Sequence, residues 1–320
     1  MPKPIVVKLS HPRTTFGYED IGLLGQSPGN RGVWGDYKFE INNDADECDY
    51  WVVIEWVPEQ QTARVPEGNL ILVLSEPEYN HVYSSNYVGQ FDRIFTWRED
   101  IRGDNVARTS CVTNWWVKRT YDQLKSDVVE KTGVLSVVAS DRATFPGHRR
   151  RFAFLNRMIG HFKDRLAVYG GLGGAQVRDK YDAIAPYEYS IAIEADEQAG
   201  YWTEKIVDCY LCETMPIYFG CPNIADFVPA DSFVAIDIDD YKSSIRAIEE
   251  AIEGDLYRKR RERIIEVKHR ILDELQVFPH IVRILESIGN RSELKRRVEV
   301  NPPMKVQHDA PGGWKRRLLA

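Results

Sequence analysis

Residues 189–221 read YSIAIEADEQAGYWTEKIVDCYLCETMPIYFGC, and this stretch decides the fold class. YSIAIE (189–194) is apolar and predicts a β-strand, whereas TEKIVDCYLCET (203–214) has apolar residues at helical spacing. MPIYFG (215–220) predicts a further strand, and Thr203 is a suitable residue to cap the helix between the two strands. A strand, a helix and a strand in this order predict a βαβ unit in a parallel sheet.

The same alternation extends to both sides of this unit. Further strands are predicted at VLSVVAS (134–140), LAVYGG (166–171) and SFVAID (232–237). Helices are predicted at RRRFAFLNRMIGHF (149–162) and from about Tyr241 onward. The second half of the chain therefore predicts a doubly wound α/β domain.

The first half contains a separate set of apolar runs, which predict buried strands of a parallel sheet. These runs are IVVKL (5–9), DYWVVIEWV (49–57), NLILVLSE (69–76) and FDRIFTW (91–97). The alternation stops in the polar stretch 117–133 and then restarts. We therefore predict an α/β protein of two facing Rossmann-like, doubly wound domains, for which a length of 320 residues is sufficient.

We place the domain limits where this pattern changes. Residues 1–133 are predicted to form the first domain with its linker, 134–290 the second domain, and 291–320 a basic C-terminal segment. That segment holds eight Lys/Arg and three Asp/Glu, a net charge of +5, which leaves −11 for the rest of the chain. Its WKRRLL stretch (314–319) has the chemistry of a contact with an anionic membrane surface, so weak peripheral attachment is one hypothesis. A disordered tail, or one docked on the acidic body, is the alternative.

The composition argues against several classes of protein. Hydrophobic residues make up 43% and charged residues 28%, the balance of a soluble globular chain. No apolar run of about 18 residues predicts a membrane span, and the first residues lack the pattern of a signal peptide. Five cysteines, an odd number, favour reduced thiols and a cytoplasmic protein, peripheral on the inner face of a membrane if the basic segment binds there. A net charge of −6 argues against nucleic acid as a partner.

Lys205 is unusual for its predicted place in the first turn of a helix. The N-terminus of a helix carries partial positive charge, which favours Glu204 and disfavours Lys205. A lysine suits this place if a bound anion is shared between its ammonium group and the free backbone N–H groups, which together make a phosphate site. A lysine that points to solvent is the alternative.

Residues 189–221 also resemble the donor-binding signature of the family-10 α-1,3-fucosyltransferases. In that signature a strand ends in Phe-Glu-Asn, and a loop leads into Tyr-x-Thr-Glu-Lys and an apolar helix. The resemblance extends over roughly residues 134–255, and two positions differ, because Ile193 and Ala195 stand where the family has Phe and Asn. The matching residues are Glu194, Tyr201, Thr203, Glu204, Lys205, Pro216 and Gly220.

This resemblance implies a GT-B fold and an inverting glycosyltransferase that needs no metal or other cofactor. The transferred sugar would be fucose from GDP-fucose, and the acceptor would be a hydroxyl of an oligosaccharide or a lipid-linked glycan. Because Ala195 departs from the signature, another nucleotide sugar stays open as the donor. A non-catalytic nucleotide- or glycan-binding protein on the same scaffold is the rival from a different class.

Within the second domain, the resemblance also implies which residues contact the donor. Its Arg-x-x-Phe pattern assigns phosphate binding to Arg151, with Arg149 or Arg150 as the alternative if the register slips. The other donor contacts that it implies are Glu194, Tyr201, Glu204, Lys205 and two residues of a glycine-rich turn, Gly171 and Gly173.

In the first domain, NLILVLSEPE (69–78) is similar to the family strand that ends in a glutamate acting as catalytic base. The resemblance places this role on Glu76, with Glu78 as the alternative. Arg151 and Lys205 complete the implied catalytic set, because both would stabilise the departing diphosphate.

The sequence predicts no metal site. Asp237 and Asp239 have the spacing of a metal-binding DxD motif, but their place at a strand end before a helix favours helix capping. The seven histidines are scattered along the chain rather than clustered as ligands.

Overall fold

Parallel β-sheets form the cores of the chain in the computed structural model, which describes residues 3–12, 22–141, 143–289 and 292–303. The strands found in these residues are β1 Ile5–Ser10, β2 Val33–Trp34, β3 Tyr37–Ile41, β4 Tyr50–Ile54, β5 Gln61–Pro66, β6 Leu70–Leu74, β7 Arg93–Thr96, β8 Val106–Arg108, β9 Gly133–Ala139, β10 Leu166–Gly170, β11 Tyr187–Ile193, β12 Met215–Phe219, β13 Val234–Ala235 and β14 Lys295–Val300. The α-helices are α1 Ser85–Val88, α2 Tyr121–Ser126, α3 Pro146–Phe162, α4 Lys180–Ile184, α5 Glu204–Leu211, α6 Tyr241–Glu253, α7 Leu256–Arg270 and α8 Val277–Ile288.

The first sheet has seven strands in the order β2-β3-β1-β4-β6-β7-β8, and only the pairing of β2 with β3 is antiparallel. Alternate side chains of β4 enter different cores. Tyr50, Val52 and Ile54 contact one core, and Trp51 and Val53 contact the other. Both faces of this strand are therefore buried, which is why its sequence is a continuous apolar run.

The second sheet has five strands in the order β10-β9-β11-β12-β13, and every pairing is parallel. Helix α5 packs on β11 and β12, as expected for the crossover of a βαβ unit. The long helix predicted from Tyr241 is divided into α6 and α7, because Asp255 adopts left-handed backbone angles between them. The predicted α/β architecture of two Rossmann-like domains is confirmed.

The chain returns to the first sheet after completing the second. Helix α8 contributes Val277, Phe278, Ile281 and Leu285 to one core of the first sheet. Strand β14 then pairs antiparallel with β5, and its Val300 is fully buried in the other core. Residues of α8 and β14, which follow the second sheet in the chain, thus cover part of the first sheet. The domain limits at residues 133 and 290 stay a prediction.

The predicted membrane element WKRRLL (314–319) lies outside the described residues. Among the residues that the structure describes, no helix combines the length and the apolar character needed to cross a lipid bilayer. Peripheral attachment through the basic segment therefore stays a hypothesis.

Candidate active site

A cavity of about 560 Å³ lies between the two sheets, at the carboxyl ends of their strands. The first domain contributes residues that follow β4 and β6, such as Glu55 and Glu76. The second contributes residues that follow β9 and β11, such as Ser140 and Ala195. The carboxyl ends of parallel strands are where α/β sheets bind ligands, so the topology itself places a ligand site here.

Lys205 projects from the first turn of α5 toward two carboxylates. Its ammonium nitrogen lies 3.1 Å from Oε2 of Glu194 and 3.3 Å from Oε1 of Glu204. Glu194 also accepts hydrogen bonds from the backbone N–H and the hydroxyl of Thr203, at 2.8 and 2.9 Å. The anion beside the start of α5 is therefore the protein's own Glu194, which accounts for a lysine in the first turn. Burial would lower the pKa of Lys205, but the charges of Glu194 and Glu204 outweigh burial and raise it.

Glu204 connects Lys205 to a second half-buried lysine. The ammonium nitrogen of Lys180 lies 3.8 Å from Oε1 of Glu204 and 3.1 Å from Oδ2 of Asp208. Burial opposes the ionisation of Glu204, but the charges of Lys205 and Lys180 prevail and lower its pKa to about 2. Asp208 also accepts a hydrogen bond of 2.8 Å from the backbone N–H of Trp116. These groups form a connected network of charges along one wall of the cavity.

Arg151 lies on α3 and lines the cavity, with only 6% of its surface exposed. Among the described residues it makes no salt bridge, and its Nε has no hydrogen-bond partner. Its Nη2 lies 3.4 Å from the hydroxyl of Ser140, a long hydrogen bond. Burial lowers the pKa of Arg151, despite the opposing charges of Glu194 and Glu204. A buried guanidinium with unused donors is suited to bind an anion that enters the cavity.

The two arginines before Arg151 make contacts elsewhere. Arg150 pairs with Asp239 and, at 3.0 Å, with Glu197. Arg149 donates a hydrogen bond of 2.9 Å to the carbonyl oxygen of Thr144. Neither of them lines the cavity, so of the three candidates the structure brings Arg151 to this site.

Helix α3 begins in direct contact with the loop that follows β11. A Cβ atom at Gly147 would lie 1.7 Å from the carbonyl oxygen of Ala195. This distance is far inside the roughly 3.5 Å at which heavy atoms normally meet. Only glycine permits this close contact. Arg151 lies one turn further along α3, so the contact helps to place its side chain at the cavity wall.

The Gly147→Ala variant is expected to lose about 1–3 kcal/mol in its free energy of unfolding, the usual cost of overpacking, because the backbone at Ala195 must move. Urea unfolding measures this change. Gly160→Ala in the same helix is the matched control, since beyond the local helix backbone and the neighbouring residues no atom of the described residues lies within 4 Å of its added Cβ. Alanine in place of a helical glycine stabilises by up to about 1 kcal/mol. Equal changes in the two variants would contradict this account of the contact.

Glu76 follows β6 and lines the cavity opposite the lysines. Its Oε2 accepts a hydrogen bond of 2.6 Å from the side-chain amide of Asn80. Burial raises the pKa of the Glu76 carboxyl against the effect of this hydrogen bond, and the charge of Glu204 raises it further. Glu78, the alternative, is exposed and does not line the cavity.

Six of the predicted site residues thus come together around one cavity: Glu76, Arg151, Gly171, Tyr201, Glu204 and Lys205. Two others do not line it. Glu194 lies behind its wall, where its carboxylate contacts Thr203 and Lys205, two residues that do line the cavity. Gly173, with a φ of 79°, lies further along the same turn as Gly171.

Glu55 also lines this cavity, and the sequence did not single it out. Its residue surface is fully buried, and burial raises the pKa of its carboxyl to about 7, helped by the charge of Glu76. Its only sequence signal is a carboxylate within the apolar residues 50–57, a position where charge is rare unless it is paired.

Asp237 and Asp239 do not line the cavity. Oδ1 of Asp237 accepts a hydrogen bond of 2.9 Å from the backbone N–H of Asp239, and the residue that caps α6 is Asp240. Within the described ranges, no group of three or more His, Cys, Asp or Glu side chains is arranged to hold a metal ion.

Two Rossmann-like domains with a cavity between the carboxyl ends of their strands define the class as a GT-B glycosyltransferase fold. A crystal structure of an α1,3-fucosyltransferase with GDP-fucose superposes with a TM-score of 0.54 at 18% identity, over 92% of this chain and 93% of that one. An α-glucosyltransferase, solved with UDP and DNA, superposes with a TM-score of 0.56 at 12% identity, over 90% of this chain and 100% of that one. At these identities the likeness shows the fold.

The second domain also has a likeness in sequence to a known family. Residues 128–253 match the family described as glycosyltransferase family 10 (fucosyltransferase) C-term. Over 77 residues it is 39% identical to the α-(1,3)-fucosyltransferase FucT of Helicobacter pylori. This stretch is 24% of the chain and spans only 16% of the length of that relative.

Proposed function

We propose that this protein transfers fucose from GDP-fucose to a hydroxyl group of a glycan acceptor, with inversion at the anomeric carbon. The observation that carries the proposal is the buried guanidinium of Arg151, whose Nε lacks a partner among the described residues, in a cavity that also holds Glu76 and Lys205. The family-10 domain over residues 128–253 supports fucose as the sugar. The α1,3-fucosyltransferase with GDP-fucose, which has the same fold, supports GDP as the nucleotide.

In this proposal the second domain binds the departing diphosphate. Arg151 has unused N–H donors, so it can bind phosphate oxygens without first breaking a salt bridge to a described residue. Lys205 differs, because Glu194 and Glu204 already hold it. Its ammonium therefore supplies a fixed charge whose position is set by the protein, and preorganised charge of this kind favours the transition state.

The first domain supplies the base. The Glu76 carboxylate removes the proton of the acceptor hydroxyl as its oxygen attacks the anomeric carbon and the bond to the diphosphate breaks. The raised pKa of Glu76 makes it a stronger base than an exposed glutamate. Attack from the first domain and departure toward the second place the two groups on opposite faces of the sugar, which is the geometry of inversion.

Thermal shift with a panel of nucleotide sugars tests the choice of donor. GDP-fucose and GDP are expected to raise the melting temperature, since a ligand at 100 times its Kd stabilises by about 2.7 kcal/mol. UDP-, CMP- and dTDP-sugars are expected to have little effect. A shift with a UDP-sugar in place of GDP-fucose would instead favour the alternative donor that Ala195 leaves open. A donor shift without any transfer to glycan acceptors would favour a non-catalytic binding protein.

Transfer activity is expected to survive EDTA. In the proposed mechanism, Arg151 and Lys205 stabilise the charge on the leaving group, so no divalent ion is required. The measurement is the turnover rate with and without the chelator. A complete loss that Mn²⁺ restores would contradict the proposal and direct attention to Asp237 and Asp239.

A further inference from the structure

Glu55 has an unusual backbone. It follows β4 directly with a φ of 63°, in the left-handed region of backbone angles that residues other than glycine rarely adopt. Such a conformation costs about 1–3 kcal/mol and persists only where surrounding contacts hold it. Its backbone N–H donates a hydrogen bond of 2.9 Å to the carbonyl oxygen of Val73, and its carbonyl oxygen accepts one of 3.1 Å from the hydroxyl of Tyr87. Its carboxylate adds further contacts.

The Glu55 carboxylate binds two successive backbone amides. Its Oε1 accepts hydrogen bonds from the N–H of Ser75 at 2.6 Å and from the N–H of Glu76 at 2.9 Å. Its Oε2 accepts a short hydrogen bond from the hydroxyl of Tyr83. Because β6 ends at Leu74, the carboxylate takes the place of a strand partner for these two amides.

Other groups hold the same short segment from its opposite side. The carbonyl oxygen of Ser75 accepts a hydrogen bond of 2.9 Å from the indole of Trp97, and that of Glu76 accepts one of 3.1 Å from Arg98. The hydroxyl of Ser75 accepts a hydrogen bond of 3.0 Å from the backbone N–H of Val112. The backbone that carries Glu76 is thus fixed at both its amides and its carbonyls.

We propose that Glu55 is a positioning residue, which fixes the Ser75–Glu76 backbone so that the Glu76 carboxylate faces the reacting hydroxyl in the cavity. This inference rests on the proposed function of Glu76 as the base. A displacement of about 1 Å of a catalytic group can lower a rate about 100-fold. The hydrogen bonds that fix the backbone of Glu76 therefore have a direct effect on turnover. Glu55 itself does not contact the reacting atoms.

The Glu55 and Glu76 carboxylates are also coupled by charge. Burial raises the pKa of both, and the charge of Glu76 makes the ionisation of Glu55 harder. A neutral residue in place of Glu55 is expected to lower the pKa of Glu76, because one neighbouring negative charge is removed. Among the described residues, the other titratable or charged groups that face this pair are Tyr79, Tyr83, Tyr87, Arg98, Cys111, Tyr201, Glu204 and Lys205.

Steady-state kinetics of Glu55→Ala and Glu55→Gln test the inference. Alanine removes the carboxylate that binds the two amides, so kcat is expected to fall about 100-fold. The KM for GDP-fucose should stay within about threefold of the wild-type value. Glutamine keeps an oxygen for the two amides and can donate to the Tyr83 hydroxyl, so it is expected to restore most of the activity. The acid limb of the pH–kcat profile of Glu55→Gln should move to lower pH, because the pKa of Glu76 is lowered when the neighbouring charge is removed. A purely structural role would lower stability without moving this profile.

Tyr87→Phe is the matched control. It removes a buried hydrogen bond of 3.1 Å to the backbone carbonyl of Glu55 and leaves the carboxylate contacts in place, so kcat should be unchanged even where stability falls. If Glu55→Ala does not fold, the kcat and the pH–kcat profile of Glu55→Gln test the positioning role instead. An unmoved acid limb, or an alanine variant within about threefold of the wild-type kcat, overturns the positioning role. Loss of activity in Glu76→Gln alongside a fully active Glu55→Ala refutes this inference alone, whereas a fully active Glu76→Gln refutes the proposed base.

Discussion

Replacing Arg151 by alanine is expected to lower kcat about 100- to 1000-fold, the usual effect of removing one preorganised donor from the leaving group. Negative charge grows on the diphosphate as the sugar departs, and Arg151 is a buried cation whose Nε has no hydrogen-bond partner among the described residues. The variant also removes a buried charge, since Arg151 has no ion-pair partner among the described residues. Its melting temperature is therefore expected to stay the same or to rise. Single-turnover kinetics and thermal unfolding measure the two effects separately.

Arg150→Ala is the matched control for this prediction. The two arginines are neighbours on α3, but Arg150 is exposed and pairs with Glu197 and Asp239 away from the cavity. It should keep nearly full turnover. An Arg151→Ala variant with more than about a tenth of the wild-type rate would show that Arg151 does not stabilise the leaving group.

Lys205→Ala is expected to lose a similar factor in rate and to be less stable as well. Glu194 and Glu204 both lie within salt-bridge distance of the Lys205 ammonium, so its removal leaves two partly buried carboxylates without this partner. Comparison of the melting temperatures of the Lys205→Ala and Arg151→Ala variants tests this difference. Equal stabilities would mean that the charge network around Lys205 contributes little to folding.

The Glu76→Gln variant is expected to bind the donor normally and to transfer its sugar about 100- to 10,000-fold more slowly, the range for loss of a general base. The amide preserves the shape of the side chain but cannot accept the proton of the acceptor hydroxyl. Because burial raises the pKa of Glu76, wild-type turnover should fall on the acid side as this carboxyl becomes protonated. The glutamine variant should lose that acid limb. Donor titration and a pH–rate profile measure both effects.

Glu78→Gln is the control at the same strand end. Glu78 is exposed and does not line the cavity, so its amide variant should behave like the wild type. The reverse pattern, with Glu78→Gln inactive and Glu76→Gln active, would mean that the base lies two residues further along the chain.

The strands and the main site residues were predictable because their signals are local. β4 and β6 are apolar on both faces, and Lys205 stands out as a cation in the first turn of a helix. Their shared location follows from topology, since the carboxyl ends of parallel strands meet at one edge of a sheet.

Other features depend on contacts between distant segments, which no local pattern reports. Glu55 lies inside an apolar run, and its role appears only when the amides of Ser75 and Glu76, 20 and 21 residues away in sequence, meet its carboxylate. The contacts of the Glu194 carboxylate with Thr203 and Lys205 likewise appear only in the folded chain, and its role as a donor contact stays a prediction. The return of α8 to the first sheet likewise could not be inferred from an amphipathic pattern, because the pattern does not say which sheet the helix covers.

That return has a consequence for how the protein is made. A ribosome releases all seven strands of the first sheet by Arg108, but the helix that covers one of its apolar faces begins only at Val277. At about 5–20 residues per second, the nascent chain exposes this face for roughly 8 to 34 seconds before its cover is synthesised. The second sheet is translated during this interval and has all of its strands by Ala235. We therefore expect the second domain to fold first, and the nascent first domain to depend on chaperones until α8 has been synthesised.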